Sequence, residues 1–156
     1  MTIVAKAERK TPRELVEQWY GSLSRMDIHS FAETLSDNFV NNVAGRTPIS
    51  GRSHSKAELF DDIFPLVMRN LDPASVNLAR RYRIMAIDGD IVVGMMEGGA
   101  TTLDGEPYEQ QYCQIFRIED GLIAEIWEFF DTVQCEARLF KRPIDVGTEP
   151  ADPLPF

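Results

Sequence analysis

The chain has 156 residues, 44% of them hydrophobic, and a formal net charge of −9 with a pI near 4.7. That length supports one sizeable core and not two ordinary domains. The acidic balance argues against nucleic acid or anionic membrane as main partners, since both need a basic surface, and no stretch reaches the roughly 18 apolar residues of a membrane span.

The start Met1 to Lys6 lacks a basic segment followed by a long apolar one, so a soluble, cytoplasmic protein is expected. Residues 1–10 read as a flexible N-terminus, 11–141 as a single domain and 142–156 as a Pro-rich extended tail, either disordered or lying along a partner. Thr11, Pro12 and Glu14 form a cap, a first-turn proline and an early acid. They precede Leu15, Val16, Trp19, Tyr20 and Leu23 at helical spacing, which predicts a helix to about Arg25. Asp27 caps a second helix with Ile28, Phe31, Leu35 and Ala32 on its buried stripe. Phe39 to Val43 reads as a short strand, and Gly45 to Ser53 as a loop suited to a lid. Ser55 and Glu58 are spaced as a capping box for a third helix carrying Leu59, Phe60, Ile63, Phe64, Val67 and Met68, with Pro65 expected to kink it or sit near a break.

After Pro73 the period changes to that of strands, at about 75–88, 90–101, 108–118 and 122–131, with turns at Asp88-Gly89-Asp90, Asp104-Gly105 and Glu119-Asp120-Gly121. Helices followed by long hairpin-connected strands predict an α+β fold: a cone-shaped barrel of a curved mixed or antiparallel sheet wrapped round three N-terminal helices. Cys113 in a strand and Cys135 in a turn or short helix lack metal spacing and read as reduced thiols. His29 and His54 are separated and make no metal site, and the acidic turns lack the ligand spacing of calcium loops.

Candidate chemistry centres on acids among apolar residues. On the strand Leu122 to Asp131, alternation aims Glu128 with Ile126 and Phe130, where a carboxylate is costly unless paired or used. Either it works as an acid or base, or it pairs with Arg80 or Arg83. Glu97 ends the apolar run Ile91 to Met96, so two acids are expected to share one hydrophobic cavity, unless a bulge at Gly98-Gly99 turns Glu97 to solvent. In this reading Glu128 is the base and Glu97 the proton donor or its orienter, a split pair that suits proton transfer beside a carbonyl, ring closure or elimination. Asn42 and Gln114 would place a water or substrate oxygen, and Tyr112 would donate to a developing oxyanion. Asn42 reads equally as a backbone hydrogen-bonder near a turn, and Gln110, Tyr112 and Gln114 share a face that is either pocket or interface. His54 either enters the cavity or stays exposed, while Trp19, Tyr20 and Phe130 are core or cavity wall, which favours an apolar ring-containing substrate.

The element order, together with Gln114-Ile-Phe-Arg-Ile-Glu-Asp-Gly-Leu-Ile-Ala-Glu-Ile-Trp-Glu-Phe-Phe-Asp131, resembles the nuclear-transport-factor-2-like superfamily over about residues 12–140, in particular its SnoaL-like, ketosteroid isomerase-like and limonene epoxide hydrolase-like group. The resemblance implies a cone-shaped pocket, work without a cofactor and a homodimer formed through the outer sheet face. The tyrosine, base and protonated aspartic acid of the ketosteroid isomerases fall on Trp19, Asn42 and Gln114. The Trp-Arg-Asp, Arg-x-Asp and Tyr-x-Asn motifs of limonene epoxide hydrolase fall on Ile126 to Glu128, Met95 to Glu97 and Val40 to Asn42. The expected function is therefore a cofactor-independent isomerase, cyclase or dehydratase/lyase acting on a hydrophobic small molecule. An epoxide hydrolase and a non-catalytic binding or dimerisation module are the alternatives.

Overall fold

The structure is a computed structural model that describes residues 9–144 and 147–148. Of the expected flexible N-terminus and Pro-rich tail, only residues 9–10, 142–144 and 147–148 are among those described, and the rest lie outside them.

Helix α1 (Pro12–Arg25) forms where the caps predict it. Thr11 accepts from the Glu14 backbone N–H, and Glu14 in turn accepts from the Thr11 backbone N–H. Its apolar stripe of Leu15, Val16, Trp19, Tyr20 and Leu23 is buried. Asp27 caps α2 (Ile28–Ala32), which is shorter than expected. Leu35 opens strand β1 (Leu35–Val43) instead of closing the helix.

The segment expected as loop or lid contains β2 (Gly51–Ser53), which pairs antiparallel with Asn41 to Val43 and caps that edge of the sheet. Ser55 caps α3 (Lys56–Glu58), and the chain then passes through a π-helical turn at Leu59–Ile63 into α4 (Phe64–Met68). Pro65 explains this turn, because its ring lacks an N–H and crowds the carbonyl of the preceding turn. The Phe64 N–H reaches back to the Leu59 carbonyl, so the break appears as one widened turn.

The remaining strands are β3 (Asn77–Asp88), β4 (Ile91–Thr101), β5 (Pro107–Glu119) and β6 (Leu122–Phe129). All are joined antiparallel in sequence, and the β5–β6 hairpin turns on Asp120 and Gly121, both at positive φ, 53° and 80°. The parallel pairing of β1 with β6 makes the six-stranded sheet mixed, in the order β2-β1-β6-β5-β4-β3 and not closed. The α+β cone is thus an open one, with α1, α2 and the α3–α4 segment against its concave side.

The core runs along that concave side. Trp19 meets Phe31, Phe116 and Tyr20 at ring-centroid distances of 5.0–5.4 Å. Tyr20 lies so close to β4 that a Cβ on Gly94 would sit 2.2 Å from its hydroxyl oxygen. Only glycine lets helix and sheet approach this far. A short helix α5 (Thr132–Gln134), capped by Asp131, continues into a π-helical turn at Cys135–Phe140 that seals the far end with Cys135, Leu139 and Phe140. Cys135 is buried and Cys113 half-buried, both as free thiols. Among the described residues, no helix is long and apolar enough to cross a membrane.

Candidate active site

The ladder sets which side chains share the concave face. Met96 lies opposite Tyr112, and Gln114 opposite Glu128. Between this face, β1, α1 and the α3–α4 segment is a hollow of about 100 Å³. Its walls are largely aliphatic and aromatic, Leu23, Phe31, Phe39, Ile63 and Phe64 among them. The polar groups that reach it are those of Trp19, Asn41, Tyr112 and Glu128, and of the described residues lining it Glu128 alone is charged.

Glu128 is held from behind. The buried Tyr20 hydroxyl donates to Gln114 Oε1 at 2.9 Å, and Gln114 Nε2 donates to Glu128 Oε2 at 2.8 Å. A carboxylate can only accept, so the amide must turn its NH2 toward Glu128 and its oxygen toward Tyr20. Burial raises the proton affinity of Glu128 above its ordinary value of 4.5, and the Gln114 donor offsets this in part. Burial likewise pushes the Tyr112 and Tyr20 phenols up, with the charge of Glu128 adding to the effect. Neither Arg80 nor Arg83 pairs with Glu128, and Arg80 binds Glu109 instead.

Glu97 does not join it. Odd-numbered residues of β4 point away from the hollow, and Glu97 lies on the outer face with Met95, where Arg81 holds it at 2.8 Å. The run Ile91 to Met96 is apolar on both faces, so hydrophobicity gave no sign of which parity is inside. The inward residues are Val92, Gly94, tight against Tyr20, and Met96.

Asn42 is displaced by the same alternation. It donates to Glu125 Oε1 at 2.9 Å and to the Ile126 carbonyl at 3.2 Å, on the side away from the hollow. Its neighbour Asn41 enters the hollow between Phe39 and Val43, and was missed. The signal was available, because Phe39, Asn41 and Val43 form an alternating set whose apolar ends mark the buried face.

Gln110 is a clamp and not a wall of the hollow: its amide accepts from the Asp131 backbone N–H at 3.0 Å and donates to the Asp131 carbonyl at 2.8 Å. His54 is exposed and does not line the hollow, and its backbone N–H donates to Glu58 at 2.7 Å. Phe130 packs on Tyr112 at 5.6 Å and backs the wall without lining it. Tyr20 is likewise behind the wall, whereas Trp19 and Tyr112 line it. Two polar atoms of lining residues, Trp19 Nε1 and Asn41 Oδ1, are buried without a hydrogen-bond partner among the described residues.

The outer face treats its buried acid differently. Glu125, one face over on β6, is met by Asn42, by Arg117 at 3.0 Å and by Arg52 at 3.5 Å. Glu128 has no such cation among the described residues.

Comparison with known proteins agrees with this architecture. The model of the SnoaL-like domain matches residues 16–126. Among curated proteins none matches in sequence. Solved structures share the fold at low identity. A nuclear-transport-factor-2-like protein of Burkholderia thailandensis is 20% identical, with a TM-score of 0.70 over 86% of this chain and 99% of its own. A candidate polyketide cyclase of Pseudomonas putida is 19% identical, with a TM-score of 0.67 over 83% and 98%. A candidate isomerase of Bacillus subtilis is 18% identical, with a TM-score of 0.64 over 81% and 91%.

Proposed function

The chain belongs to the SnoaL-like domain family, and from that premise we propose that it is a cofactor-independent acid/base enzyme, an isomerase, cyclase or lyase, acting on a small hydrophobic ring-containing molecule. The observation that carries this reading is Glu128, a carboxyl group facing an apolar hollow with a neutral amide behind it and no cation beside it among the described residues. A carboxylate so placed is a stronger base than one in water, because charge is costly there and a proton relieves the cost.

In the proposed step, Glu128 takes a proton from carbon beside a substrate carbonyl. The C–H electron pair becomes the new C=C bond of an enolate, and the carbonyl π pair moves to oxygen. The Tyr112 hydroxyl, which shares the hollow, donates to that oxygen. Returning the proton at another carbon gives isomerisation, attack of the enolate on a second carbonyl gives ring closure, and expulsion of a β-leaving group gives elimination. Epoxide hydrolysis is the less favoured reading, because the second acid it was expected to use, Glu97, lies on the other face of the sheet. A homodimer is proposed to form through that outer face, where Met95 and Phe129 stand exposed.

The test is hydrogen exchange: small cyclic ketones and lactones are incubated with the protein in D2O and loss of their α-proton signals is followed. Exchange driven by the wild type and abolished in Glu128→Gln is expected. Equal exchange in the two proteins would overturn Glu128 as the base, and none above the buffer rate for any compound would leave a binding or dimerisation module as the reading.

A further inference from the structure

The two unpartnered polar atoms are informative about the ligand. Buried N–H groups are nearly always satisfied, and leaving one unmet costs about 1–3 kcal/mol. Trp19 is 4% exposed, lines the hollow, and its Nε1 has no acceptor among the described residues. An indole nitrogen can only donate. Its ring cannot easily swing to find an acceptor, because Tyr20, Phe31 and Phe116 pack against it at 5.0–5.4 Å. Asn41, from β1, brings an amide whose oxygen is also unmet. No lysine, arginine or histidine is among the described lining residues, so an anionic ligand would face Glu128 with nothing to neutralise it.

Building on the functional reading above, we propose that Trp19 Nε1 is a ligand-binding donor. The ligand is then an uncharged molecule with an oxygen acceptor on its helix-facing side and a second polar group near Asn41. Trp19 is mounted on α1 and Glu128 on β6, so the ligand oxygen and the reacting carbon are gripped from opposite layers of the fold. The hollow of about 100 Å³ is well below the ~300–1,000 Å³ of drug-sized pockets, which points to a ligand the size of one small ring.

The experiment compares two probes of nearly equal shape, cyclohexanone and methylenecyclohexane, which differ in whether oxygen or carbon ends the double bond. Binding is measured to Glu128→Gln, so that no turnover intervenes, while the indole N–H signals of Trp19 and Trp127 are followed by ¹⁵N-edited NMR. Cyclohexanone is expected to bind up to about tenfold more tightly than the hydrocarbon and to move the Trp19 indole proton downfield. In Trp19→Phe the preference should fall by at least half, the Tyr112 hydroxyl still meeting the oxygen, while hydrocarbon affinity stays within about twofold. The NMR readout needs no substitution at Trp19, so it decides the matter even if Trp19→Phe does not fold. Equal affinity for the two probes with an unmoved Trp19 signal would overturn the role of Trp19 and leave Glu128 as the base untouched. Failure of both probes to bind would overturn the role of Trp19 and the ligand hollow with it. Binding as expected, combined with no α-proton exchange by the wild type, would overturn the catalytic reading alone.

Discussion

Two acids three positions apart on β6 face opposite ways and live under opposite rules. Glu125, on the outer face, is buried but sits among two arginines and the Asn42 amide. Glu128, on the concave face, looks into an apolar hollow and has Gln114 as its hydrogen-bond partner. A neutralised buried carboxylate ties strands together, since Arg52 comes from β2, Asn42 from β1 and Arg117 from β5. An unneutralised one stores a cost that binding a proton relieves, which is what a base requires. The difference between structural and chemical acids here lies in strand parity.

The sharpest way to break this comparison is to remove each carboxylate in turn and read turnover. Glu128→Gln should lower the rate of any reaction the protein catalyses by about 10²–10⁴-fold, the usual worth of a general acid or base. Glu97→Gln, on the outer face, should change it by less than about twofold. Comparable losses from the two would restore a shared site.

Next in size is the stability of the outer clasp. Glu125→Ala leaves the buried Asn42 amide and two half-exposed arginines without their acceptor, and should cost about 2–3 kcal/mol in urea unfolding, discounted for the solvent the arginines still see. A cost below about 0.5 kcal/mol would remove the structural half of the contrast.

Tyr20→Phe should cost about 1–2 kcal/mol, since Gln114 Oε1 loses its donor inside the core. The same change frees the Gln114 amide to reorient. A fall in turnover smaller than that of Glu128→Gln would therefore fit a positioning role, and a loss as large would make Tyr20 a participant in the reaction.

The smallest effect is one of sign with pH. Because the folded state holds the Glu128 proton more tightly than the unfolded chain does, this residue contributes stability that is fully present below pH 4.5 and lost as pH rises through the folded value. Glu128→Gln removes that loss, so its Tm should gain on the wild type from pH 4 to pH 8. Each kcal/mol would appear as roughly 2–4 °C. Parallel curves would mean that the carboxylate is solvated.

Much of the fold was legible because local signals agreed with one another. Thr11, Pro12 and Glu14 start α1 as read, and Asp120-Gly121 turns the last hairpin through two positive φ values. The short β2 was hidden, since Gly51 to Ser53 has no alternation of its own and is a strand only because β1 offers it an edge. At the site, Glu128 was readable from its spacing to Ile126, which lines the same hollow. Glu97 was misplaced because Ile91 to Met96 is apolar on both parities, and which one lies inside is set by Tyr20 pressing on Gly94, a long-range contact. Asn42 and Asn41 differ by one residue of register, and Phe39 and Val43 mark Asn41 as the one on the buried face. His54 and Gln110 failed for a different reason: each is of a type suited to a site, but a polar side chain's partner, such as the Asp131 backbone held by Gln110, is not written in the local sequence.

The account rests on Glu128 holding its proton where an ordinary carboxyl group would have released it. Protein labelled with ¹³C at the glutamate side-chain carboxyl carbon, titrated by NMR and assigned with Glu128→Gln, reads this directly. The Glu128 resonance should change at a pH above 4.5. A midpoint at or below that value would contradict the claim that this acid faces an apolar hollow with a neutral amide as its partner.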